Sequence, residues 1–423
     1  MPSKLALAAF RFHYVHNGPL SRCPVDWDRN QNRFIWINCS ITKSKYYLNV
    51  FLVVFMYGIM FNGLILASDF FTNKQYLCLM DKLVVISRLL AAFQGMFYCM
   101  TVFNYGEFLT STLNKMVDFE ATVNQIERDG LTNLWNGYGS WRESLLQIDW
   151  VGLSTFGVCI PLKAIAFGYI IMTMFWSNDP ISLLIRIYHP FLISTHFRFI
   201  ICFILRFVMV SFFSFEIARH ISTFYMMAVY SLAMFANMLN AIKIFPLYRA
   251  VRHYVTVTLL MQWYREFAAL NVGGAIFAGW LLNVQANYAT IIMFPIAFSD
   301  SHNSVYYIIF PTLSALCLTC FKILMPFAVR ANTISDVALR KWKFQSSGYN
   351  NRRCSWFSRF INSTLKKKLN SLHPLSIRVG MCFDLNQQTN CNVFSSVLQM
   401  TMNLVVSFPN GSKAGSEHRR FCL

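Results

Sequence analysis

A stripe of uncharged polar side chains runs along the last hydrophobic stretch of the chain, residues 392–408, which contains no ionisable residue. Polar residues recur there at intervals of four, three and four, which places them on one face of a helix. They are Asn392, Ser396, Gln399 and Asn403. Neutral amides and hydroxyls replace part of an ion's hydration shell without binding it tightly, so the pattern is typical of a pore-lining helix. Hydrogen bonding between neighbouring helices of one chain explains the same stripe equally well.

A second set of residues places charge and aromatic rings inside hydrophobic stretches. Arg88, Lys163 and Arg206 interrupt otherwise apolar runs, where a charge is costly and often functional. Aromatic residues at a similar predicted depth to the two arginines are Tyr169, Trp176, Tyr288, Phe294, Tyr306 and Tyr307. Arginines and rings together indicate a pocket for an organic ligand. The alternatives are an arginine that reaches the interface along its own side chain and an interfacial belt of Tyr and Trp.

Composition identifies the class of protein that must position these residues. Of 423 residues, 56% are hydrophobic and only 13% are charged, whereas a soluble domain carries about a quarter charged residues. The chain is therefore an all-α polytopic membrane protein. Its net charge of +19 lies beside the hydrophobic stretches, as in cytoplasmic loops that face anionic lipid. This distribution argues against nucleic-acid binding.

The hydrophobic stretches predict seven crossings. A crossing needs about 20 apolar residues, and eight stretches approach that length: 46–67, 83–103, 151–176, 199–215, 221–245, 274–298, 304–329 and 392–408. Only Glu216 to His220 separates 199–215 from 221–245, so we expect one long, tilted or broken helix there. The alternative is eight crossings with one basic loop on the outer side.

Basic residues predict which side of the membrane each segment faces. The N-terminal arm, residues 1–45, carries Lys4, Arg11, Arg22, Arg29, Arg33, Lys43 and Lys45. The segment 330–391 carries Arg340, Lys341, Lys343, Arg352, Arg353, Arg359, Lys366, Lys367, Lys368 and Arg378. Both should be cytosolic. The prediction is thus a cytosolic N-terminus, a six-helix ligand-binding region over 46–329, a pore-lining helix over 392–408 and an extracellular tail over 409–423.

Two amphipathic stripes predict that helices continue beyond the membrane into a cytosolic bundle. The first consists of Leu109, Leu113, Met116, Phe119, Val123 and Ile126, and the second of Phe357, Ile361, Leu365, Leu369 and Leu372. Small residues in 274–279 form two pairs spaced by four, Gly274 with Ala278 and Ala275 with Gly279, which predict a close helix–helix contact.

This organisation resembles the insect gustatory and odorant receptor superfamily. The seven crossings, the basic segment before the last one and the short tail are similar, and so is the run from His373-Pro374 through Gly380 and Phe383 to Asn386. The family's Thr-Tyr and Gln-Phe signature is not kept. One alignment places Gln399-Met400 on Gln-Phe, and another places 401–408 on the whole motif. The chain is most similar to a divergent, gustatory-receptor-like member.

The resemblance implies a function. Members assemble as tetramers whose last helices line a central cation pore, so the polar stripe would face the pore and Val397 or Met400 would form an apolar gate. It places the ligand in the outer half of the bundle, near Arg88 and Arg206. The expected protein is a gustatory-type receptor of the plasma membrane and a subunit of a ligand-gated, non-selective cation channel. Its partners would be a small tastant, cations, like or related subunits and anionic lipid. No enzymatic activity, cofactor or metal is expected.

Other functions stay open. A receptor-fold subunit that does not itself conduct fits the altered signature. A G-protein-coupled receptor would need an extracellular N-terminus, and the chain has neither an acidic-Arg-Tyr motif in its third crossing nor an Asn-Pro-x-x-Tyr motif in its last. A transporter or membrane enzyme is less favoured, because the histidines form no HxxxH or HExxH cluster and no internal repeat is evident.

The predicted sidedness can be tested with epitope tags. A tag before Met1 should reach antibody only after permeabilisation, because the basic arm stays in the cytosol. The same tag after Leu423 is the matched control and should be accessible on intact cells. An N-terminal tag that is accessible on intact cells would instead favour the G-protein-coupled arrangement.

Overall fold

Long helices make up most of the computed structural model, which describes residues 4–15, 21–28, 30–71, 77, 79–132, 150–176, 179–188, 196–243, 245–297, 304–348, 356–376, 378–379, 383–384 and 387–407. The helices are α1 (Lys4–Val15), α2 (Ser40–Val50), α3 (Asn62–Phe71), α4 (Leu79–Thr132), α5 (Trp150–Trp176), α6 (Pro180–Tyr188), α7 (His196–Ile242), α8 (Leu247–Ala297), α9 (Ser304–Gly348), α10 (Trp356–Ser371) and α11 (Gln387–Ser407). A π-helical segment, Phe51–Phe61, joins α2 to α3 without a break. The tail predicted over 409–423 lies outside the described residues.

Five regions among the described helices are long and apolar enough to cross a membrane. They are Ser40–Phe71, Asp81–Val123, Val151–Ile185, Ile200–Ile242 and Ile309–Ser346. The chain is therefore a membrane protein. The segments predicted over 199–215 and 221–245 form the single helix α7, which confirms that they are one element. Seven crossings and their sidedness stay predictions.

Both amphipathic stripes lie on helices. The first continues the long helix α4, as expected, whereas the second lies on the separate helix α10 and is not an extension of a neighbouring helix. In α4, Leu109, Leu113 and Met116 are buried more than 20 residues after the helix begins. In α10, Leu365 and Leu369 are buried, whereas Lys366 to Lys368 are exposed. The side chains of Ile126, Phe357 and Ile361 lie outside the described residues. Periodicity predicted these faces because each of the two helices buries one side.

The chain after α10 is attached to two other helices before it enters the last one. The Tyr254 hydroxyl on α8 donates to the His373 carbonyl at 2.8 Å, and the Asn332 amide on α9 donates to the Leu375 carbonyl at 3.0 Å. The Leu375 amide in turn donates to the Ser335 hydroxyl at 2.9 Å. These bonds position the segment that leads into α11.

Two short hairpins correct the all-α expectation. Strands β1 (Val25–Asp28) and β2 (Arg33–Trp36) pair antiparallel, with Val25 opposite Trp36. Strands β3 (Arg378–Val379) and β4 (Phe383–Asp384) form the second pair. The first turn is closed by the Asp28 carboxylate, which accepts the Asn30 amide at 2.8 Å. Asn32 takes the left-handed conformation that asparagine tolerates, with φ of 50°. Strands this short contain too few alternating apolar and polar residues for a hydropathy pattern to reveal them.

The N-terminal arm is folded against the helices. The Phe10 ring stacks on Trp27 with centroids 4.8 Å apart and meets Tyr230 of α7 edge to face at 5.4 Å. His13 is fully buried, and its Nε2 lies 2.8 Å from the Thr223 hydroxyl. Burial, together with the positive charges of Lys163 and Arg219, lowers the pKa of His13 to about 3. The arm therefore docks with a neutral histidine.

The π-helical segment brings the first long helix close to its neighbours. A π turn leaves carbonyls without their usual partners, and the Asn62 amide donates to those of Tyr57 and Gly58 at 3.1 and 2.8 Å. A Cβ atom at Gly58 would lie 2.6 Å from the Phe213 ring and 2.8 Å from the Ala92 methyl. Glycine at this position therefore lets α4 and α7 pack directly on the π-helical segment.

A buried ion network joins α7 to the arm and to α2. Arg219 pairs with Glu216 one turn earlier and donates to the Ser21 carbonyl. His220 Nε2 lies 3.2 Å from a Glu216 oxygen and 3.1 Å from the Tyr46 hydroxyl. Because all of these α7 side chains are almost fully buried, each charge depends on its partner rather than on water.

Replacing Glu216 with Gln should lower the free energy of unfolding by about 3–5 kcal/mol, because Arg219 would keep its charge in the interior without a carboxylate. Denaturation of the detergent-purified chain measures this. The matched control is Asp336→Asn, whose partner Arg340 is 79% exposed and which should cost no more than about 1 kcal/mol. Equal losses in the two variants would contradict a structural role for the buried network.

Candidate functional site

A cavity of about 170 Å³ lies inside the helix bundle. Five helices line it, it is partly open, and its wall is almost wholly apolar. Representative lining residues are Gln94 on α4, Leu162 on α5, Phe224 on α7, Leu282 on α8 and Cys317 on α9. Concave apolar space with few polar groups is the usual form of a small-molecule site. The cavity was not predicted from the sequence, because its residues come from helices far apart in the chain.

The small-residue stripe of α8 accounts for much of this space. At Gly274 an added Cβ would lie 2.7 Å from the Phe97 ring, and at Gly279 it would lie 3.0 Å from Phe321. These contacts confirm the close packing that the spacing predicts. Ala275, Ala278 and Gly279 also line the cavity. The same stripe thus brings helices together at one point and leaves a void beside it.

Gln94 supplies a polar group at the cavity. The side chain is 8% exposed, and its Oε1 has no hydrogen-bond partner. A buried amide oxygen without a partner is costly and rare in folded proteins. A ligand that offers a hydroxyl or amide hydrogen would satisfy it.

Two of the sequence-predicted pocket residues, Arg88 and Tyr169, are in contact. Arg88 is 3% exposed, and its Nε donates to the Tyr169 hydroxyl. The guanidinium carbon lies 5.5 Å from the centre of the same ring, so the arginine also makes a cation–π contact. Arg88 is thus buried and Tyr169 half-buried beside it.

Arg206 has a partner that sequence reasoning missed. Its Nε donates to an Asp179 oxygen at 2.7 Å, and Asp179 is fully buried. The Asp179 carboxylate also accepts the Ser182 amide at 3.0 Å and the Ser182 hydroxyl at 2.7 Å. Asp179 thus caps α6, which begins at Pro180. The sequence does indicate Asp179 as a helix cap, since Asp followed by Pro is typical of a helix start. The salt bridge to Arg206 depends on tertiary packing.

Of the remaining residues predicted for the ligand pocket, the described ones lie away from the Arg88–Tyr169 contact. Tyr288 is buried in a separate cluster with Leu83, Val84 and Phe310. Lys163 lies 4.5 Å from the centre of the Phe12 ring, against the N-terminal helix. The side chains of Trp176, Phe294, Tyr306 and Tyr307 lie outside the described residues.

Helix α11 divides the predicted polar stripe between two environments. The Ser396 hydroxyl accepts a hydrogen bond from Trp280 Nε1 of α8 at 3.0 Å. Val397 and Thr401 are 2% and 4% exposed. Ser396 is thus the half-buried edge of the polar stripe, and the side that carries Val397 and Thr401 packs on the chain's own bundle. A side chain buried there cannot close an opening on the other side of the helix.

The opposite side of α11 is exposed. Asn392, Gln399 and Asn403 lie on it, and Met400 at its edge is 40% exposed. Three large apolar residues share this surface: Leu398, Met402 and Val406, which are 66%, 58% and 72% exposed. The exposed face thus alternates amides with apolar side chains, and this combination suits contact with both water and protein.

Comparison with known proteins gives a fold and no sequence family. No protein-family model matches the chain, and no curated protein matches it significantly. Among solved structures, the insect olfactory receptor OR5 from Machilis hrabei is similar, with a TM-score of 0.57 and 13% identity, over 95% of this chain and 97% of the receptor. The same receptor in complex with eugenol matches with the same TM-score and identity, over 96% and 97%. The resemblance inferred from the sequence is thus confirmed at the level of structure: the chain has the fold of an insect olfactory receptor.

Proposed function

We propose that the chain is a chemosensory receptor of the insect gustatory and odorant receptor superfamily, a gustatory-type subunit of a ligand-gated, non-selective cation channel in the plasma membrane. One observation carries the proposal: almost the whole chain follows the olfactory-receptor fold. The apolar cavity and the exposed amides of α11 are the two features that such a function requires.

The proposed topology has seven crossings with the N-terminus in the cytosol. The crossings are α2 with α3, α4, α5, α7, α8, α9 and α11. The basic residues of the arm and of Lys366 to Lys368 then face the anionic inner leaflet. The segments 1–45 and 330–391 are cytosolic in this arrangement, and 409–423 is extracellular.

The ligand is proposed to be a small tastant or other organic molecule bound within the bundle. The apolar cavity supports this, because its wall offers desolvation and Gln94 offers one directional hydrogen bond. The Machilis hrabei receptor in complex with eugenol is a precedent on the same fold. The Arg88–Tyr169 contact, which lies nearer the start of α4 than Gln94 does, belongs to the same proposed site.

The pore is proposed to form between four copies of α11, from this chain alone or with related subunits. Asn392, Gln399 and Asn403 would face the cations, and Ser396 would lie at the edge of the pore face with its hydroxyl engaged by Trp280. Of the two residues proposed for an apolar gate, Met400 is partly exposed and Val397 is buried in the protomer. We therefore assign the gate to Met400.

A subunit that supports related receptors without conducting is the second candidate. The three large apolar residues on the exposed face of α11 favour it, because Leu398, Met402 and Val406 suit a dry contact with a neighbouring helix. The channel function requires that the amides of α11 contact permeating cations, whereas the supporting-subunit function does not.

Replacement of Gln399 and Asn403 by Leu should reduce ligand-evoked cation current about fivefold, the factor that corresponds to losing about 1 kcal/mol of ion solvation. Whole-cell recording of the chain during application of a tastant panel measures this. Met402→Leu, on the same face, is the matched control and should leave the current unchanged. If the double variant conducts like the native chain, the pore assignment fails and the supporting-subunit function is favoured.

Ala278→Leu partly fills the cavity and should raise the ligand concentration for half-maximal response at least about tenfold. Each methylene of the ligand that the larger side chain displaces or crowds costs roughly 1 kcal/mol of binding free energy. Ala278 lines the cavity, whereas the neighbouring Phe277 is 62% exposed. Phe277→Leu is therefore the control, and surface labelling checks the amount of each variant. An unchanged response in Ala278→Leu would place the ligand elsewhere.

A further inference from the structure

Beyond the cavity, five side chains from different elements meet in a buried polar group, which we call the Arg88 cluster. It comprises Tyr57, Arg88, Tyr169, Asp179 and Arg206. Tyr57 lies within electrostatic range of the other four. Each of Tyr57, Arg88, Asp179 and Arg206 is less than a tenth exposed. Tyr57 comes from the π-helical segment, a conformation often found at functional sites.

The cluster has more hydrogen-bond donors than acceptors. Among the residues that the structure describes, Arg88 Nη1 and Nη2 are buried without hydrogen-bond partners, and so are Arg206 Nη2 and the Tyr57 hydroxyl. Asp179 is the one carboxylate of the cluster, and it already binds Arg206 and Ser182. It therefore has little capacity left for Arg88.

The charges of the cluster do not cancel. Two guanidinium groups face one carboxylate, and Arg88 contacts only the neutral Tyr169 through its Nε and its cation–π face. A buried cation is normally paired, because low-dielectric surroundings make an unpaired charge costly. The group that is missing is one negative charge with two acceptor oxygens, the partner that a guanidinium binds best.

The apolar cavity begins about one helical turn from this charge, and its lining residues do not include the Arg88 cluster itself. Ala91 on α4 lines the cavity one turn after Arg88, and Leu162 on α5 lines it two turns before Tyr169. Residues at these spacings lie on one helix face. The apolar cavity and the Arg88 cluster are therefore adjacent along the same two helices.

We propose that the ligand of this chain is a monocarboxylate with an apolar body, such as a medium-chain fatty acid, whose carboxylate pairs with Arg88 while its hydrocarbon lies in the cavity. This inference rests on the proposed function for the existence of a ligand site. It does not depend on conduction. The competing explanation is that Arg88 only packs on Tyr169 as a structural element.

Calorimetric titration of the purified chain in phosphatidylcholine nanodiscs separates the two explanations. The probes are octanoate, 1-octanol and methyl octanoate, which share an apolar body and differ in charge. Octanoate should bind at least about tenfold more tightly than either neutral probe. Equal or tighter binding of the neutral probes would overturn the proposal.

Substitution of the arginine gives a second comparison. Arg88→Gln should weaken octanoate binding about 10- to 100-fold and leave 1-octanol binding unchanged, since only the charged contact is lost. Arg340→Gln, at an exposed position, is the matched control and should not alter binding of either probe. If Arg88→Gln binds octanoate like the native chain, Arg88 is structural and the proposal is wrong. If this variant does not fold, the three probes on the native chain decide alone.

The anion could also be a lipid headgroup, and nanodiscs that contain phosphatidylglycerol distinguish the sources. If the affinity for octanoate is independent of phosphatidylglycerol, the bound anion is a soluble carboxylate. If phosphatidylglycerol competes with octanoate, that assignment is overturned in favour of a lipid headgroup. Octanoate binding without cation current would remove the channel function and leave this inference standing. Cation current evoked by neutral ligands alone would overturn this inference and leave the channel function standing.

Discussion

The structure depends on one constraint: a polar group within the membrane-spanning bundle must find its partner inside the chain, because hydrocarbon offers none. The Glu216–Arg219–His220 network shows how the constraint is met. Arg219 takes a carboxylate from its own helix and a carbonyl from the N-terminal arm, and His220 reaches Tyr46 on α2. Three separate parts of the chain are thereby held at one point, so docking of the arm and packing of the bundle become one event.

The same constraint explains why two arginines of similar sequence context differ. Arg206 is matched by Asp179, which is itself positioned by the start of α6. Arg88 has an aromatic partner and two nitrogen atoms without any. Arg206 keeps one nitrogen without a hydrogen-bond partner among the described residues, but its charge faces a carboxylate. The charge of Arg88 faces a neutral tyrosine, so it has remaining capacity to bind an anion. The difference between the two is what makes Arg88, and not Arg206, the centre of a proposed recognition site.

Small residues have an equally specific effect. Along α8, Gly274 and Gly279 allow aromatic rings of α4 and α9 to approach closely, while Ala275 and Ala278 leave a void. Packing and cavity are therefore produced by one short stripe. Helix α11 is similar, because one side is committed to α8 through Trp280 and Val397 while the other carries free amides. A helix with two such faces can transmit a change in the bundle to whatever lies on its exposed side.

The sequence by itself determined the membrane class, the continuous helix α7 and the amphipathic faces of α4 and α10, because hydropathy and helical periodicity are local properties of the chain. It also indicated the receptor fold through the order of hydrophobic and basic segments. Tertiary structure alone decided the salt bridge between Asp179 and Arg206, the place of the cavity and the docking of the β1–β2 hairpin. It also decided that Val397 is buried and that Ser396 is half-buried against Trp280, while Gln399 and Asn403 are exposed. These features depend on which helix faces meet, and a linear pattern of residue types does not contain that information.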